Sequence, residues 1–255
     1  MGGRAMFREG VALVVGGSGG IGRAVCEGLF EAGCDVALTY RNNAQAADKV
    51  VQTGKRQGRQ VYAATLDLTD REATHTLVED VAKRFGGIHT LVLATGADIS
   101  MTYCSQIDPL EWDRTIAGDL TGAFNITLAT LPYLRQGGGS IVAMTSAGLK
   151  RHPQKDILSV VPKAGLEALL RGIAREEGRF GIRANAIALG VIDTGLFHRL
   201  TDRLTPDFIE SMQRNTALGR FGTPEEAADL AVFLASSRSS FVTGQSIALD
   251  GGFSV

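Results

Sequence analysis

The segment from Val11 to Gly22, VALVVGGSGGIG, constrains this chain more than any other. An apolar run ends in clustered glycines, and a helical pattern opens directly behind them. Strand, glycine turn and helix in that order form a layout that receives a dinucleotide pyrophosphate. Glycine permits the turn dihedrals and lets the backbone approach the phosphates closely. The helix N-terminus adds free N–H groups and a partial positive charge. Two glycine registers are legible. Gly17, Gly19 and Gly22 match G-x-G-x-x-G, whereas Gly16, Gly20 and Gly22 match G-x-x-x-G-x-G. The plain alternative is a tight turn that holds no ligand.

Apolar runs punctuated by glycine continue along the chain. After Val11 to Val15, strands are expected at Asp35 to Tyr40, Gln60 to Leu66, Thr90 to Ala94, Ser140 to Thr145, Arg183 to Ala188 and Ser246 to Leu249. Helical patterns fall at Ile21 to Ala32, Ala44 to Arg56, Pro109 to Leu134 and Ser159 to Gly178. A further helix follows Thr69 or Asp70, either of which suits a cap, and Pro224 opens another at a first-turn position. Strands alternating with helices predict an α/β, Rossmann-type doubly wound parallel sheet of about seven strands, covered by helices on both faces. No linker or repeat interrupts it, so residues 1–255 read as a single domain, with a more polar flap at about 194–216. Functional residues are expected just past the carboxyl ends of the strands.

With 255 residues and 44% hydrophobic content, the chain can bury one large core. A formal net charge of −1 and the absence of a basic block argue against nucleic acid or an anionic membrane as partner. No apolar run approaches the ~20 residues that span a bilayer, and MGGRAMFREG holds no signal core. A soluble, cytoplasmic protein is expected. Cys26, Cys34 and Cys104 read as free thiols or small core residues. His75, His89, His152 and His198 form no i,i+4 pair, so no metal site is expected.

Several strand ends carry a combined signature. Beyond the glycine turn these are Asp67-Leu68, Ser146 with Lys163 seventeen residues on, Asn185-Ala186-Ile187, Gly190-Val191-Ile192-Asp193-Thr194, Val242-Thr243-Gly244-Gln245 and Asp250-Gly251-Gly252. Together they resemble the short-chain dehydrogenase/reductase family, in particular its 3-oxoacyl-carrier-protein reductase-like members, over about residues 8 to 255. The catalytic positions depart from that pattern. Serine stands at 159, where the family's tyrosine-three residues-lysine motif, ending at Lys163, has tyrosine. In the enoyl-reductase variant, with tyrosine seven residues before the lysine, the position is held by Asp156. Asp119 falls where the family has a helix asparagine, and Leu93-Ala94-Thr95-Gly96 where it has Asn-Asn-Ala-Gly.

The resemblance implies that Gly16, Ser18, Gly19 and Ile21 surround the pyrophosphate, and that Asp67 and Leu68 meet the adenine. It puts Ala94 and Gly96 beside the cofactor, Ile192 and Thr194 at the nicotinamide carboxamide, and Lys163 on the nicotinamide ribose. Past the second strand, Arg41 replaces the carboxylate that would receive the ribose 2′-OH of NAD; a guanidinium suits a 2′-phosphate, so NADP(H) is favoured over NAD(H). For chemistry the implied set is Ser146, Ser159, Lys163 and Asp119, with Tyr103, His152, Lys155 and Asp156 as further proton donors to consider. A serine hydroxyl is a poor general acid, and Pro162 lacks an amide proton, so the helix must start close to it or kink, which bears on where Lys163 sits. Phe197, His198 and Phe208 either line a substrate pocket or anchor the flap.

Three functions follow. The first is an oxidoreductase that reduces a carbonyl or conjugated small molecule without the tyrosine acid. The second is a non-redox cyclase, dehydratase or isomerase in the same pocket. The third is a catalytically silent subunit. The family resemblance also implies a homotetramer or homodimer.

Overall fold

Every residue of β1 (Val11–Val15) is buried, as befits a strand covered on both faces. Its side chains divide by alternation: Val11, Leu13 and Val15 enter one core, Ala12 and Val14 the other. The computed structural model describes residues 5–201 and 204–255. Around β1 lie β2 (Val36–Tyr40), β3 (Val61–Thr65), β4 (Ile88–Leu93), β5 (Gly139–Ser146), β6 (Ile182–Leu189) and β7 (Ser246–Leu249). They form one seven-stranded sheet in the order β3-β2-β1-β4-β5-β6-β7, parallel at every pairing. The order reverses between β1 and β4, where doubly wound sheets open a crevice for ligands.

Helices α1 (Gly20–Glu31), α2 (Ala44–Arg56) and α9 (Pro224–Ala235) cover one face, with Leu29, Val50 and Leu234 in its core. On the other lie α3 (Arg71–Phe85), α5 (Gly122–Leu134) and α6 (Ile157–Glu177), which bury Val78, Ile126 and Leu166. Local chemistry sets the ends. Asn43 caps α2, and Asp70, not Thr69, accepts from Ala73 N to cap α3. Thr223 and Glu226 make a reciprocal capping box around Pro224.

Most boundaries fall within a residue of the sequence expectation, and three depart further or in kind. β4 starts at Ile88, ahead of Thr90, and leaves Ala94 beyond the strand. α6 starts at Ile157, which places Pro162 inside the helix. The long helical pattern from Pro109 is not uniform: α4 (Pro109–Ile116) passes through a π-helical turn, Ala117–Thr121, before α5. After β6 come α7 (Gly195–Thr201) and α8 (Pro206–Arg214). Residues 202 and 203 of the flap expected at 194–216, and residues 1–4 of the expected domain, lie outside the described residues. Among the described residues, no helix is long and apolar enough to cross a membrane, and no His, Cys, Asp and Glu cluster suits a metal ion.

Candidate active site

The glycine turn distinguishes between its two registers. Gly16 has φ +79°, and a Cβ there would lie 3.0 Å from the Ala94 carbonyl oxygen. A Cβ on Gly20 would collide with Thr194, and one on Gly22 with the Gly16 carbonyl. Gly19 is looser, its nearest neighbour for a Cβ being Gly16 O at 3.3 Å. Sterics therefore demand Gly16, Gly20 and Gly22, the G-x-x-x-G-x-G register. Gly17 is required for another reason: a Cβ would lie 2.6 Å from Leu38 Cβ on β2. No side chain caps α1 at Gly19, so the first-turn amides after Ser18 and Gly19, including that of Ile21, stay available to an anion. A glycine cradle that side chains would fill, opening an uncapped helix, fits a dinucleotide pyrophosphate.

The other strand ends gather along the same edge of the sheet. Arg41, past β2, is largely exposed, with Nη2 3.8 Å from Asp67 Oδ2 past β3. Asp67 Oδ1 accepts from Thr69 N at 2.9 Å and Thr69 Oγ1 at 2.7 Å, and these bonds hold its carboxyl below the usual range. The Leu68 carbonyl accepts from Asn125 Nδ2 at 3.0 Å, tying this loop to α5. Past β6, Ile192 is buried and bridged to Gly222, while Thr194 lies over Gly20 at the start of α1. Phe197 packs edge-on against Phe221, with ring centroids 4.7 Å apart, and so anchors its segment, whereas Phe208 is exposed. His198 Nε2 lies 2.8 Å from Asp193 Oδ1.

Beyond β4 and β5 the polar groups converge. Lys163 Nζ donates to the Thr95 carbonyl at 2.8 Å and lies 3.7 Å from Asp119 Oδ2. The same Asp119 oxygen accepts from Ala97 N at 3.2 Å, so Thr95, Gly96 and Ala97 wrap around this pair. Lys163 and Asp119 are 8% and 6% exposed, a buried ion pair with a backbone acceptor and a backbone donor added. Asp119 sits in the π-helical turn, where one extra residue re-aims side chains. Ser146, at the end of β5, accepts from Gly148 N at 3.1 Å, which shapes the turn and leaves its O–H free to donate elsewhere.

The comparisons with known proteins agree with this architecture. A family model described as Enoyl-(Acyl carrier protein) reductase matches residues 15–254. The chain is 34% identical over 243 residues to the 3-oxoacyl-[acyl-carrier-protein] reductase FabG of Staphylococcus aureus, covering 94% of this chain and 96% of that protein. The chain belongs to the short-chain dehydrogenase/reductase family. Among solved structures, a short-chain type dehydrogenase/reductase from Mycobacterium ulcerans superposes with a TM-score of 0.90 at 30% identity, covering 98% of this chain and 91% of that one. One from Serratia marcescens gives 0.89 at 29% identity, covering 96% and 98%.

In this short-chain dehydrogenase/reductase, α6 carries no tyrosine at all. Ser159 is half-buried in its first turn, one helical turn before Lys163. Pro162 neither breaks the helix nor draws Lys163 away from Thr95 and Asp119. The remaining donors scatter. His152 is exposed, and Tyr103 is half-exposed with Lys155 Nζ 4.9 Å from its ring centroid. Asp156, just ahead of α6, makes no side-chain cap, and its burial pushes its carboxyl up to about 6.

Sequence reasoning missed the Thr95 carbonyl, since a backbone acceptor leaves no residue-type signal. It also missed the Arg199–Asp98 ion pair, at 3.4 Å, which links α7 to the loop past β4 across the edge that carries the site.

Proposed function

We propose that this protein is an NADP(H)-dependent reductase that acts on a carbonyl or conjugated small molecule without a phenolic acid on its catalytic helix. The observation that supports the reading is Lys163, buried and held by Asp119 and by the Thr95 carbonyl in the loop that meets the glycine turn, although serine stands at 159. In this reading Gly16, Ser18, Gly19 and Ile21 hold the pyrophosphate through backbone amides, and Asp67 and Leu68 flank the adenine. Arg41 takes the 2′-phosphate, Ala94, Gly96, Ile192 and Thr194 enclose the nicotinamide, and Lys163 orients its ribose. Bound there, a reduced nicotinamide supplies a hydride.

Ser146 and Ser159 hydrogen-bond the acceptor oxygen and orient it. Asp119 compensates the charge of Lys163. The polar segment around α7 and α8 acts as a flap, tethered by Arg199 to Asp98. The protein works in the cytoplasm as a homotetramer or homodimer, an assembly supported by exposed Phe124 and Leu128 on α5. The Staphylococcus aureus relative is named a 3-oxoacyl-[acyl-carrier-protein] reductase, which supports the reductase class.

Calorimetry with NADPH and NADH, followed by NADPH oxidation against a panel of ketones, enones and quinones, tests the reading. NADPH is expected to bind more tightly, and at least one acceptor to be consumed. Tight binding with no consumption across the panel favours instead the silent-subunit reading, which the missing tyrosine supports. Product formed without nucleotide favours a cyclase, dehydratase or isomerase.

A further inference from the structure

Ion pairs along the edge of the sheet that carries the site differ in how strongly a neighbouring ligand feels them. Arg41–Asp67, His198–Asp193 and Arg199–Asp98 keep more than half of every side chain in solvent, where water and salt screen the charges. Lys163–Asp119 keeps about a tenth of each side chain exposed, so its charges act through a medium of lower effective dielectric.

The buried pair is also the one set against the glycine turn. Thr95 joins the two. Its carbonyl accepts from Lys163 Nζ at 2.8 Å, and its Cγ2 lies where a Cβ on Gly16 would approach to 3.1 Å. Just before it, Ala94 N donates to the Val15 carbonyl at 2.9 Å, so the ends of β1 and β4 close on each other here. The sheet order reverses between those two strands, and a dinucleotide lies across such a reversal with one half on either side. Arg41 and Asp67 stand past β2 and β3, on one side. Lys163 and Asp119 meet the loop past β4, on the other. With Arg41 on the 2′-phosphate, the adenosine half takes the first side and the nicotinamide half falls beside the buried pair.

One difference between the two forms of that nucleotide is electrostatic. The nicotinamide ring is neutral when reduced and cationic when oxidised. Lys163 with a neutral partner would set a buried positive charge beside the ring and disfavour the oxidised form. A carboxylate 3.7 Å from the ammonium cancels that charge.

We propose that Asp119 is a specificity-determining residue that sets the balance between the two redox states of the bound nucleotide, holding the oxidised form by offsetting Lys163. The inference rests on the NADP(H) reading above. By linkage, the factor by which Asp119 strengthens the oxidised form over the reduced one makes the bound reduced nucleotide a stronger hydride donor by the same factor. The carboxylate also stabilises positive charge as it develops on the ring during transfer. Driving force is thereby placed on the donor, in a site whose catalytic helix offers a serine and no phenol.

Calorimetric titration of the wild type, Asp119→Asn and Lys163→Gln with NADP⁺ and with NADPH tests this with no acceptor present. The quantity to read is the ratio of Kd for NADP⁺ to Kd for NADPH, because a purely structural loss weakens both forms alike and leaves the ratio unchanged. Asp119→Asn should raise the ratio about tenfold, chiefly by weakening NADP⁺, the size expected for unit charges ~8 Å apart at an effective dielectric somewhat above ~20. Lys163→Gln leaves the carboxylate uncompensated and should lower the ratio about tenfold, although both forms bind less tightly. Circular dichroism reports the folding of each variant, and the opposite signs let either variant decide alone. An unchanged ratio in a folded variant, or a shift of one sign in both, overturns the role of Asp119 and leaves the nucleotide reading standing. A folded wild type that takes up neither NADP⁺ nor NADPH overturns the nucleotide reading, and this inference with it.

Discussion

Asp119 shows how much depends on one atom of one side chain. Its Oδ2 faces both Lys163 Nζ and Ala97 N in a largely buried site. Removing one member of a buried pair strands the other's charge, a larger cost than the pair is worth. Asp119→Leu should therefore destabilise the fold by about 3 kcal/mol in urea denaturation, while Asp119→Asn, which keeps an acceptor for Ala97, should cost less. Asp156 has the opposite character. Its folded carboxyl titrates near 6, above the ordinary 3.8, so its contribution to stability is fully present below the unfolded value and is lost as pH rises through 6. Asp156→Asn should gain on the wild type as pH rises, reaching on the order of 2–3 kcal/mol at about pH 8 and much less near pH 4, read from urea midpoints across that range. If Arg41 takes the 2′-phosphate as proposed, Arg41→Ala should raise the Kd for NADPH about tenfold and leave that for NADH nearly unchanged in calorimetric titration. Positions 119, 159 and 163 were singled out through the family resemblance, and Arg41 by its place past the second strand. The solitude of the Asp156 carboxyl was not legible, because burial is a property of what packs around a group.

The elements were legible wherever a local rule applied. β1 and α2 fall where apolar runs, caps and glycines put them. The run from Pro109 to Leu134 reads as helix throughout, and the π-helical turn within it is invisible to a 3.6-residue period. Such a turn is paid for by its surroundings: Asp119 is tied to Lys163, and Gly122 abuts Leu68, where a Cβ would lie 2.6 Å from Leu68 Cβ. α6 shows the same balance. Pro162 denies the Leu158 carbonyl its helical donor, yet the helix continues because neighbouring turns bury Leu158 and pack Leu166 into the core beneath the sheet. An interior proline costs about 3 kcal/mol, and alanine would forfeit roughly two buried methylenes, worth ~0.8 kcal/mol each. The backbone effect wins, so Pro162→Ala should stabilise by about 1 kcal/mol, seen as a rise of a few degrees in Tm by calorimetry.

At the scale of the whole molecule, Phe124 and Leu128 stand one turn apart on α5, exposed although large and apolar. If they are covered by a second copy, Phe124→Glu/Leu128→Glu should lower the mass measured by light scattering to that of a monomer while circular dichroism stays native. What the sequence by itself determined is the alternation of strands and helices that makes a parallel, doubly wound sheet, because period, capping and glycine chemistry act between residues close along the chain. It also determined that a glycine turn opens the first helix. Only the tertiary structure decided which glycines are sterically obligatory, that Thr95 offers its carbonyl to Lys163, and that Asp119 and Lys163 are buried together. Those facts depend on groups far apart in sequence meeting at the ends of neighbouring strands, where burial sets the cost of each charge and the worth of each partner.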